Sequence, residues 1–507
     1  MKRYILAVLA SLLVLSVLAA CATPTPQVVK ETVVVTQQVE KVVTKEVQKV
    51  VTKEVEKVVT KEVEKVVTKE VTKPGQTIVF WSTENQPARA QKTQAIIQKF
   101  TEKTGIGVNL VLVDENNIDS LMAANQAAGT MPDVVFFPLD FAAAWYAQGV
   151  LDADAATQAI NDLDAGTFSQ GALNMVKTKD GKFMAVPSDG WGQLLIYRQD
   201  WFDELGLDAP TTYDKILNAA KVIQEKKGVT GIMAGTDPGQ VFTQQSFEHF
   251  ALANGAQVVD ADGNVTVDTP EMLQAFKFYT DLMKEYGPGD TATYWLQSRA
   301  AYFAGQAGMV VWSPFILDEM AGLRDSVLPN CPECKEDPAY LAKNSGVVPA
   351  FSGPMDGPSQ YGQVSYMGIT TGAKKDAAIQ FVEFWLSDGY LDWLGVAPEG
   401  KFPMRRGTPD DPNKYITGWG ELPAGVDRKA PLNQFYSEEV LNTIIQGANN
   451  FDRWGFAQGQ GELVGAIYSE LPFPQAIADV IEGNMTAEEA IKELQATVED
   501  IKAGLEK

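Results

Sequence analysis

After the first 75 residues, short apolar runs alternate with stretches of helical periodicity. Residues 77–81 form a strand of the buried type, and the apolar residues of 89–103 recur on one helical face. Residues 108–113 and 133–137 predict two more strands, with a helix over 118–128 between them. Strands that alternate with helices build parallel βαβ units. The pattern therefore predicts an α/β fold whose sheet is covered on both faces.

The N-terminal pattern differs and predicts an export signal. Lys2 and Arg3 precede an uncharged, largely apolar run that ends in Leu18-Ala19-Ala20-Cys21. A cysteine directly after small residues resembles the bacterial lipobox, in which that cysteine carries the lipid. We predict a signal peptide over 1–20 and a lipid anchor at Cys21, on the outer face of the cytoplasmic membrane. A plain secretory signal, or a membrane helix shorter than the roughly 20 apolar residues that a span needs, is the alternative.

An eight-residue repeat, VEKVVTKE and close variants, fills residues 39–73. Eight residues overshoot two helical turns by about 80°, so no fixed apolar stripe forms. Valine and threonine favour extended structure, whereas the spacing of Glu and Lys offers helical ion pairs. The sequence therefore does not decide the conformation of the repeat. We interpret 21–75 as a stalk without a core of its own, which carries the globular part away from the membrane.

Composition narrows the class of protein. With 507 residues, of which 45% are hydrophobic, the chain exceeds a single core and predicts two or more domains. The net charge of -23 argues against nucleic acid as a partner, because phosphate backbones require clustered Lys and Arg. Ten tryptophans provide flat apolar faces that suit a ligand.

Cys331 and Cys334 are too few for a zinc site, because the chain has only one histidine to add to them. In an exported protein we expect a local disulfide between them, with a redox motif as the alternative. Residues 260–271 have the oxygen spacing of a calcium loop, but Val265 occupies the position that needs glycine. A β-hairpin explains this segment better. We expect no metal and no cofactor.

Catalytic signatures are weak. His249 is the single histidine, and neither a Gly-x-Ser-x-Gly elbow nor a phosphate-binding loop is present in the sequence. We expect His249 to be a core or surface residue. The 65 acidic residues offer many carboxylate pairs that could hydrolyse a glycoside. An exported carbohydrate-active enzyme is therefore the alternative function.

Several short segments share their order and spacing with one family. These segments are IVFWS at 78–82, MPDVV at 131–135, QGVL at 148–151, GKFMAVP at 181–187, LIYR at 195–198, PTTYD at 210–214, FAGQAGM at 303–309 and GKFPMR at 400–405. Together they resemble the extracellular solute-binding proteins of the maltose- and glycerol-phosphate-binding type.

The resemblance implies a two-lobe, periplasmic-binding-protein-like (type II) fold whose lobes are joined by hinge strands. Lobe one would comprise 76–186 and 369–430, and lobe two 187–368 and 431–507. A polar solute, expected to be a sugar, would bind between the lobes. The protein would be a monomer without enzyme activity, and its partners would be the transmembrane subunits of an ABC permease.

The resemblance also implies ligand contacts. Trp81 ends the first strand, and Asp140 matches an acid that binds sugar hydroxyls. The family's maltose-type members often have a basic residue next, but here it is Phe141, which argues against a maltodextrin contact set. The expected ligand-binding residues are Trp81, Glu84, Asp140, Trp191, Trp312, Tyr366, Arg405 and Trp454. Aromatic faces and bidentate polar groups suit sugars. Core packing is the alternative for the tryptophans, and a solvated loop or hinge packing for Glu84 and Tyr366.

Overall fold

The strands of this computed structural model lie in one large and one small sheet, with a separate two-stranded pair. The structure describes residues 76–505. The predicted signal peptide, the lipid anchor at Cys21 and the predicted repeat stalk lie outside these residues. Among residues 76–505, no helix has the length and apolar character needed to cross a membrane.

The strands are numbered in chain order. They are β1 Gln76–Ser82, β2 Ile106–Leu112, β3 Val134–Pro138, β4 Val186–Gly192, β5 Leu194–Arg198, β6 Thr230–Met233, β7 Ala307–Trp312, β8 Ser345–Val348, β9 Gln360–Ile369, β10 Phe402–Pro403, β11 Pro423–Ala424, β12 Ala430–Pro431 and β13 Phe451–Asp452.

The α-helices are numbered in the same way. They are α1 Pro87–Thr104, α2 Ile118–Ala128, α3 Ala142–Ala147, α4 Ala153–Asp162, α5 Gln170–Asn174, α6 Gln199–Leu205, α7 Tyr213–Lys227, α8 Val241–Ala253, α9 Pro270–Glu285, α10 Trp295–Phe303, α11 Leu317–Met320, α12 Tyr340–Asn344, α13 Lys375–Trp385, α14 Tyr390–Leu394, α15 Lys414–Gly420, α16 Glu438–Gly447, α17 Gly461–Glu470, α18 Pro472–Glu482 and α19 Ala487–Leu505.

The large sheet has the strand order β10-β4-β9-β3-β1-β2, and β13 pairs with β9. β1 runs parallel to both β2 and β3, as the alternation of strands and helices predicts. Phe136 and Phe137 are consecutive in β3, so their side chains point to opposite faces. Phe136 packs against Trp393 at 4.9 Å, and Phe137 packs against Trp145 at 4.9 Å between ring centroids. The predicted parallel units and the cover on both faces are confirmed.

The small sheet has the order β6-β7-β5-β8, in which β6 and β7 are parallel and β5 is antiparallel to β7 and β8. The chain passes from the large sheet to the small sheet where β4 leads into β5, and it returns where β8 leads to β9. β4 and β9 pair with each other antiparallel, from Val186 opposite Met367 to Gly192 opposite Gly362. We call β4 and β9 the crossing strands.

The ring of Phe451 lies against one face of the crossing strands. Gly192 and Gly362 are paired on neighbouring strands, and both leave room for this ring. A Cβ atom at either glycine would clash with the ring of Phe451. The missing side chains therefore allow an aromatic ring to cover the point where the two strands leave the large sheet.

Helix ends follow local sequence signals. Thr212 caps α7, because its side chain accepts a hydrogen bond from the N–H of Lys215. The helix ends at Gly228, whose φ of 68° is the left-handed conformation that glycine adopts without strain. The helix entry predicted at 210–214 is thus confirmed.

The predicted hairpin near residue 260 is also confirmed. Val259 and Val265 form an antiparallel bridge. The Asp260 carboxylate accepts hydrogen bonds from the backbone N–H groups of Asp262 and Asn264 at 2.9 and 2.8 Å. The Asp260 carboxylate therefore stabilises the turn of the hairpin.

Cys331 and Cys334 are joined by a disulfide, with their Cα atoms 4.9 Å apart. Glu333 lies between them, and its carboxylate is 3.4 Å from the guanidinium of Arg198. Arg198 itself is fully buried and is held by Asp200 at 2.6 Å. The disulfide therefore lies in a loop that packs onto β5 through a buried cation.

His249 is a core residue, which was one of the two positions expected for it. It is fully buried, and its Nδ1 accepts a hydrogen bond from the N–H of Tyr361 at 3.1 Å. Burial lowers the pKa of His249 to about 3, so the ring is neutral and cannot exchange a proton near neutral pH.

The carboxyl group of Glu383 in α13, near Asp162 of α4, makes stability depend on pH. Burial raises the pKa of Glu383 from 4.5 to about 7, and the neighbouring Asp162 adds to the rise. Between about pH 4.5 and pH 7, the Glu383 carboxyl binds its proton more tightly in the folded protein than in the unfolded chain. The free energy of unfolding therefore contains a contribution that is present below about pH 4.5 and is lost as pH rises through about 7.

Glu383→Gln should remove this contribution, because glutamine resembles the protonated acid at every pH. We expect the variant to match the parent near pH 4 and to become more stable than the parent by about pH 8. Urea unfolding of both proteins across that range tests the prediction. Glu225→Gln, at an exposed position of α7, is the matched control. A stability difference that does not vary with pH would contradict the assignment.

Candidate functional site

The crossing strands carry a row of polar and aromatic side chains on the face away from Phe451. Asp189 and Trp191 alternate along β4, and Gln193 continues the row. Tyr361 and Gln363 occupy the matching positions of β9, with Gln363 directly opposite Trp191. The rings of Trp191 and Tyr361 lie 5.9 Å apart. This face connects the end of the large sheet to the small sheet.

A cavity of about 700 Å³ opens beside this face, next to the small sheet. Five aromatic residues line it: Trp191, Phe242, Trp295, Trp312 and Phe315. Its main polar side chains are those of Gln193, Gln240, Gln245, Arg299, Glu319 and Arg324. Such a volume, in which aromatic walls are combined with several polar side chains, is typical of small-molecule sites. We call this space the aromatic cavity.

The aromatic rings come from the ends of secondary-structure elements. Trp312 is the last residue of β7, and Trp295 is the first residue of α10. Their ring centroids are 6.1 Å apart at an angle of 63°. Trp312 is 7% exposed and packs on Phe242 at 5.6 Å, whereas Trp295 is 40% exposed. The Trp312 ring is thus part of the cavity wall, and the Trp295 ring forms an accessible rim.

Arg299 and Glu319 form an ion pair inside the aromatic cavity. Nη1 of Arg299 donates to Oε1 of Glu319 at 2.8 Å, and the guanidinium lies 5.4 Å from the Trp295 ring and 5.8 Å from the Trp312 ring. Burial raises the pKa of Glu319, although the positive charge of Arg299 opposes that rise. The pair therefore fixes one charged oxygen of Glu319 next to two aromatic faces.

A second charge cluster holds the other end of the crossing-strand face. The ammonium group of Lys401 is 2.6 Å from Glu84 and 3.1 Å from Asp189, and Arg89 pairs with Glu84 at 2.7 Å. Burial raises the pKa of Glu84, but Lys401 and Arg89 outweigh that effect and the net shift is downward. Glu84 is thus ionised and committed to two cations. Through Lys401, Glu84 links the end of β1 to Asp189 of β4.

Carboxylates follow the ends of the parallel strands β1, β2 and β3. Asp140 is exposed after β3, and its carboxylate accepts a hydrogen bond from the Nε2 amide of Gln363 at 2.9 Å. Glu115, after β2, has a raised pKa because it is partly buried and lies near Asp140 and Glu84. This acidic edge adjoins the crossing strands at Gln363, directly opposite Trp191.

The eight expected ligand-binding residues do not all lie in one site. Trp191 and Trp312 line the aromatic cavity, and Asp140 and Glu84 lie at the acidic edge. Trp81 is only 6% exposed and belongs to the core of the large sheet.

The structure does not bring the expected ligand-binding residues Tyr366 and Arg405 to the aromatic cavity. Tyr366 is a fully buried residue of β9, and its hydroxyl donates to the carbonyl of Ala172 at 2.9 Å. Arg405 is 3% exposed, and its guanidinium donates to the carbonyls of Leu386 and Leu163, each at 2.8 Å. Interior backbone carbonyls therefore occupy the donors that were expected to bind a ligand.

Trp454 is not brought to the aromatic cavity either. It is fully buried, its Nε1 donates to the carbonyl of Ala256 at 2.9 Å, and its ring packs against Phe247 and Phe473. Its neighbour Arg453 contacts the crossing strands, because it donates to Oε1 of Gln363.

Sequence reasoning missed Trp295, Arg299, Phe315 and Glu319. One local signal was available: Trp295 and Arg299 are four residues apart at the start of α10, so they share a helix face. Phe315 lies in a 3-10 turn after β7, and Glu319 lies in the short helix α11 that follows this turn. Only the fold shows that this segment faces α10.

Comparison with known proteins agrees with this fold. The model of the bacterial extracellular solute-binding protein family matches residues 84–391, so the chain belongs to this family. A relative from Escherichia coli, named "Putative ABC transporter periplasmic-binding protein", is 28% identical over 393 residues, which cover 75% of this chain and 85% of the relative.

Two solved structures are similar in fold. The sugar-binding protein MalE from Xanthomonas citri has a TM-score of 0.65 and 18% identity, and covers 85% of this chain and 98% of its own. The cyclic alpha-maltosyl-1,6-maltose binding protein from Arthrobacter globiformis has a TM-score of 0.62 and 16% identity, with coverages of 84% and 98%. The predicted periplasmic-binding-protein-like fold and the predicted family are confirmed.

Lys401→Met should destabilise the protein by about 3 kcal/mol, because it leaves Asp189 without its buried cation and Glu84 with Arg89 alone. Urea denaturation measures the loss. Lys429→Met, at an exposed position, is the control and should change stability by less than about 0.5 kcal/mol. Equal effects of the two substitutions would show that the buried cluster does not hold β1 to β4.

Proposed function

We propose that the protein is the substrate-binding component of an ABC importer and takes a sugar or sugar-like polar solute in the aromatic cavity. The observation that carries this proposal is the combination of Trp191, Trp295 and Trp312 around one space of about 700 Å³. Sugar rings present C–H faces that stack on flat aromatics, while their hydroxyls require carboxylate, amide or guanidinium partners. The cavity offers both kinds of group.

The relatives support the same class of function. The family binds solutes outside the cell, the E. coli relative is named for an ABC transporter, and both similar structures are named for sugar binding. The cognate partners would be the transmembrane subunits of a permease. Binding and release need no chemical conversion of the solute.

Hinge closure is the proposed mechanism. The proposed lobe one comprises 76–186 and 369–430, and the proposed lobe two comprises 187–368 and 431–507. The paired crossing strands β4 and β9 support a division into two lobes, because the chain passes between the two sheets through them. A solute that contacts both lobes selects the closed arrangement.

Asp140 is the proposed contact from lobe one. Its carboxylate is exposed and is oriented by Gln363, which lies opposite Trp191. A solute in the aromatic cavity that also reached Asp140 would lie across the crossing strands.

Membrane attachment is part of the proposal. The predicted signal peptide over 1–20 and the lipid anchor at Cys21 would place the protein outside the cytoplasmic membrane, and the repeat over 21–75 would act as a spacer. We propose a monomer, since one chain contains every residue of the proposed site.

Trp295→Ala and Trp312→Ala should each lower affinity for a bound sugar at least tenfold, or about 1.4 kcal/mol, because each removes a stacking face. The ligand is first found by a thermal-shift screen of monosaccharides, disaccharides, oligosaccharides, polyols and phosphodiesters. Affinity is then measured by isothermal titration calorimetry. Trp201→Ala is the matched control, because this half-buried tryptophan stacks on Arg198 outside the cavity.

Unchanged affinity in both cavity variants would show that the solute binds elsewhere. NMR of the recovered ligand distinguishes the alternative function: an unaltered sugar fits a binding protein, and a cleaved sugar fits a carbohydrate-active enzyme.

A further inference from the structure

Two acceptor oxygens in the lining of the aromatic cavity have no hydrogen-bond partner within residues 76–505. They are Oε1 of Gln193 and Oε2 of Glu319. Both residues line the cavity, and they are 2% and 5% exposed. Buried polar atoms in proteins are nearly always paired, so two unpaired acceptors in one cavity point to donors that arrive with a ligand.

The cations of the aromatic cavity, in contrast, are already paired with carboxylates. Arg299 donates to Oε1 of Glu319. The guanidinium of Arg324 is 2.8 Å from Asp318 and 3.6 Å from Glu399. The two guanidinium groups of the lining are therefore paired with three carboxylates, of which only Glu319 itself lines the cavity.

The acidic edge adds carboxylates along the crossing strands, beside the buried guanidinium of Arg453 that donates to Gln363. Asp140 bonds to Gln363, the residue opposite Trp191, and Glu115 lies near Asp140. A negatively charged solute in the aromatic cavity would meet the unpaired acceptors and the carboxylate of Glu319, while both guanidinium groups of the lining are already paired. Like charges at short range in a partly desolvated site repel strongly.

From this arrangement we infer that the aromatic cavity selects a hydrogen-bond donor without negative charge, such as a neutral sugar or polyol, and that Glu319 is the residue that excludes anionic sugars. This inference rests on the proposed function, since it defines the solute of the same site. Gln193 supplies a second acceptor for the ligand but contributes no charge. The two residues should therefore affect affinity and charge selectivity differently.

The test compares neutral and anionic forms of the same sugars by isothermal titration calorimetry. The neutral probes are glucose, galactose, mannose, xylose, maltose, cellobiose and xylobiose. The anionic probes are glucuronate, galacturonate, glucose 6-phosphate and galactose 6-phosphate. We expect at least one neutral probe to bind and the anionic probes to bind at least a hundredfold more weakly.

An anionic probe that binds as tightly as the best neutral probe overturns the inference but leaves the proposed function standing. Absence of any binding overturns both.

Two near-isosteric variants separate charge from hydrogen bonding. Glu319→Gln should weaken the neutral sugar about tenfold and should reduce discrimination against the anionic probes at least tenfold, because Arg299 is then no longer neutralised. Gln193→Leu should weaken neutral and anionic probes by the same factor and leave discrimination unchanged. A merely structural role of Glu319 would not improve the relative binding of anions.

Glu336→Gln, at an exposed position, is the control and should change neither the affinity for the neutral sugar nor the discrimination against the anionic probes. Thermal unfolding checks that each variant is folded. If Glu319→Gln does not fold, the comparison of probes on the parent protein still decides the inference. Discrimination that survives Glu319→Gln unchanged overturns the role of Glu319.

Discussion

The antiparallel pairing of β4 with β9 is the constraint on which the rest of the structure depends. The chain passes between the large and the small sheet through these two strands, and backbone hydrogen bonds hold them in one register. That register sets Trp191 opposite Gln363, and so joins the aromatic cavity to the acidic edge. A slip by one residue would turn each of these side chains to the opposite face. The geometry of the site is therefore a property of the strand pairing more than of any single side chain.

Buried charges reinforce the same pairing from two directions. Lys401 ties Asp189 of β4 to Glu84 after β1, and Arg453 ties Gln363 of β9 to Glu248 of α8. Taking a charge out of water costs several kcal/mol, so such groups persist where partners and geometry compensate each other. In both clusters the cation also lies near an aromatic ring. Both clusters therefore add hydrogen bonds and ion pairs that require a defined geometry. Apolar packing alone imposes no such geometry.

The sequence predicted the large sheet well, because the apolar runs of β1, β2 and β3 and the periodicity of α1 and α2 are local signals. It predicted Trp191 and Trp312 as ligand-binding residues, and both line the aromatic cavity. It could not separate them from Trp454 or Arg405, whose side chains have the same chemistry but donate to interior carbonyls. Whether a tryptophan or arginine faces a cavity is decided by partners far away in the chain, and the sequence does not carry that information locally.

Gly192 and Gly362 also limit how this sequence can change over evolutionary time. The Phe451 ring occupies the volume that a side chain at either glycine would need, although residue 451 lies far from both in the chain. A larger residue at 192 or 362 is compatible with the fold only if residue 451 becomes smaller. Conversely, the loss of the aromatic ring would leave a void over the crossing strands. The three positions are thus expected to covary among descendants of this chain.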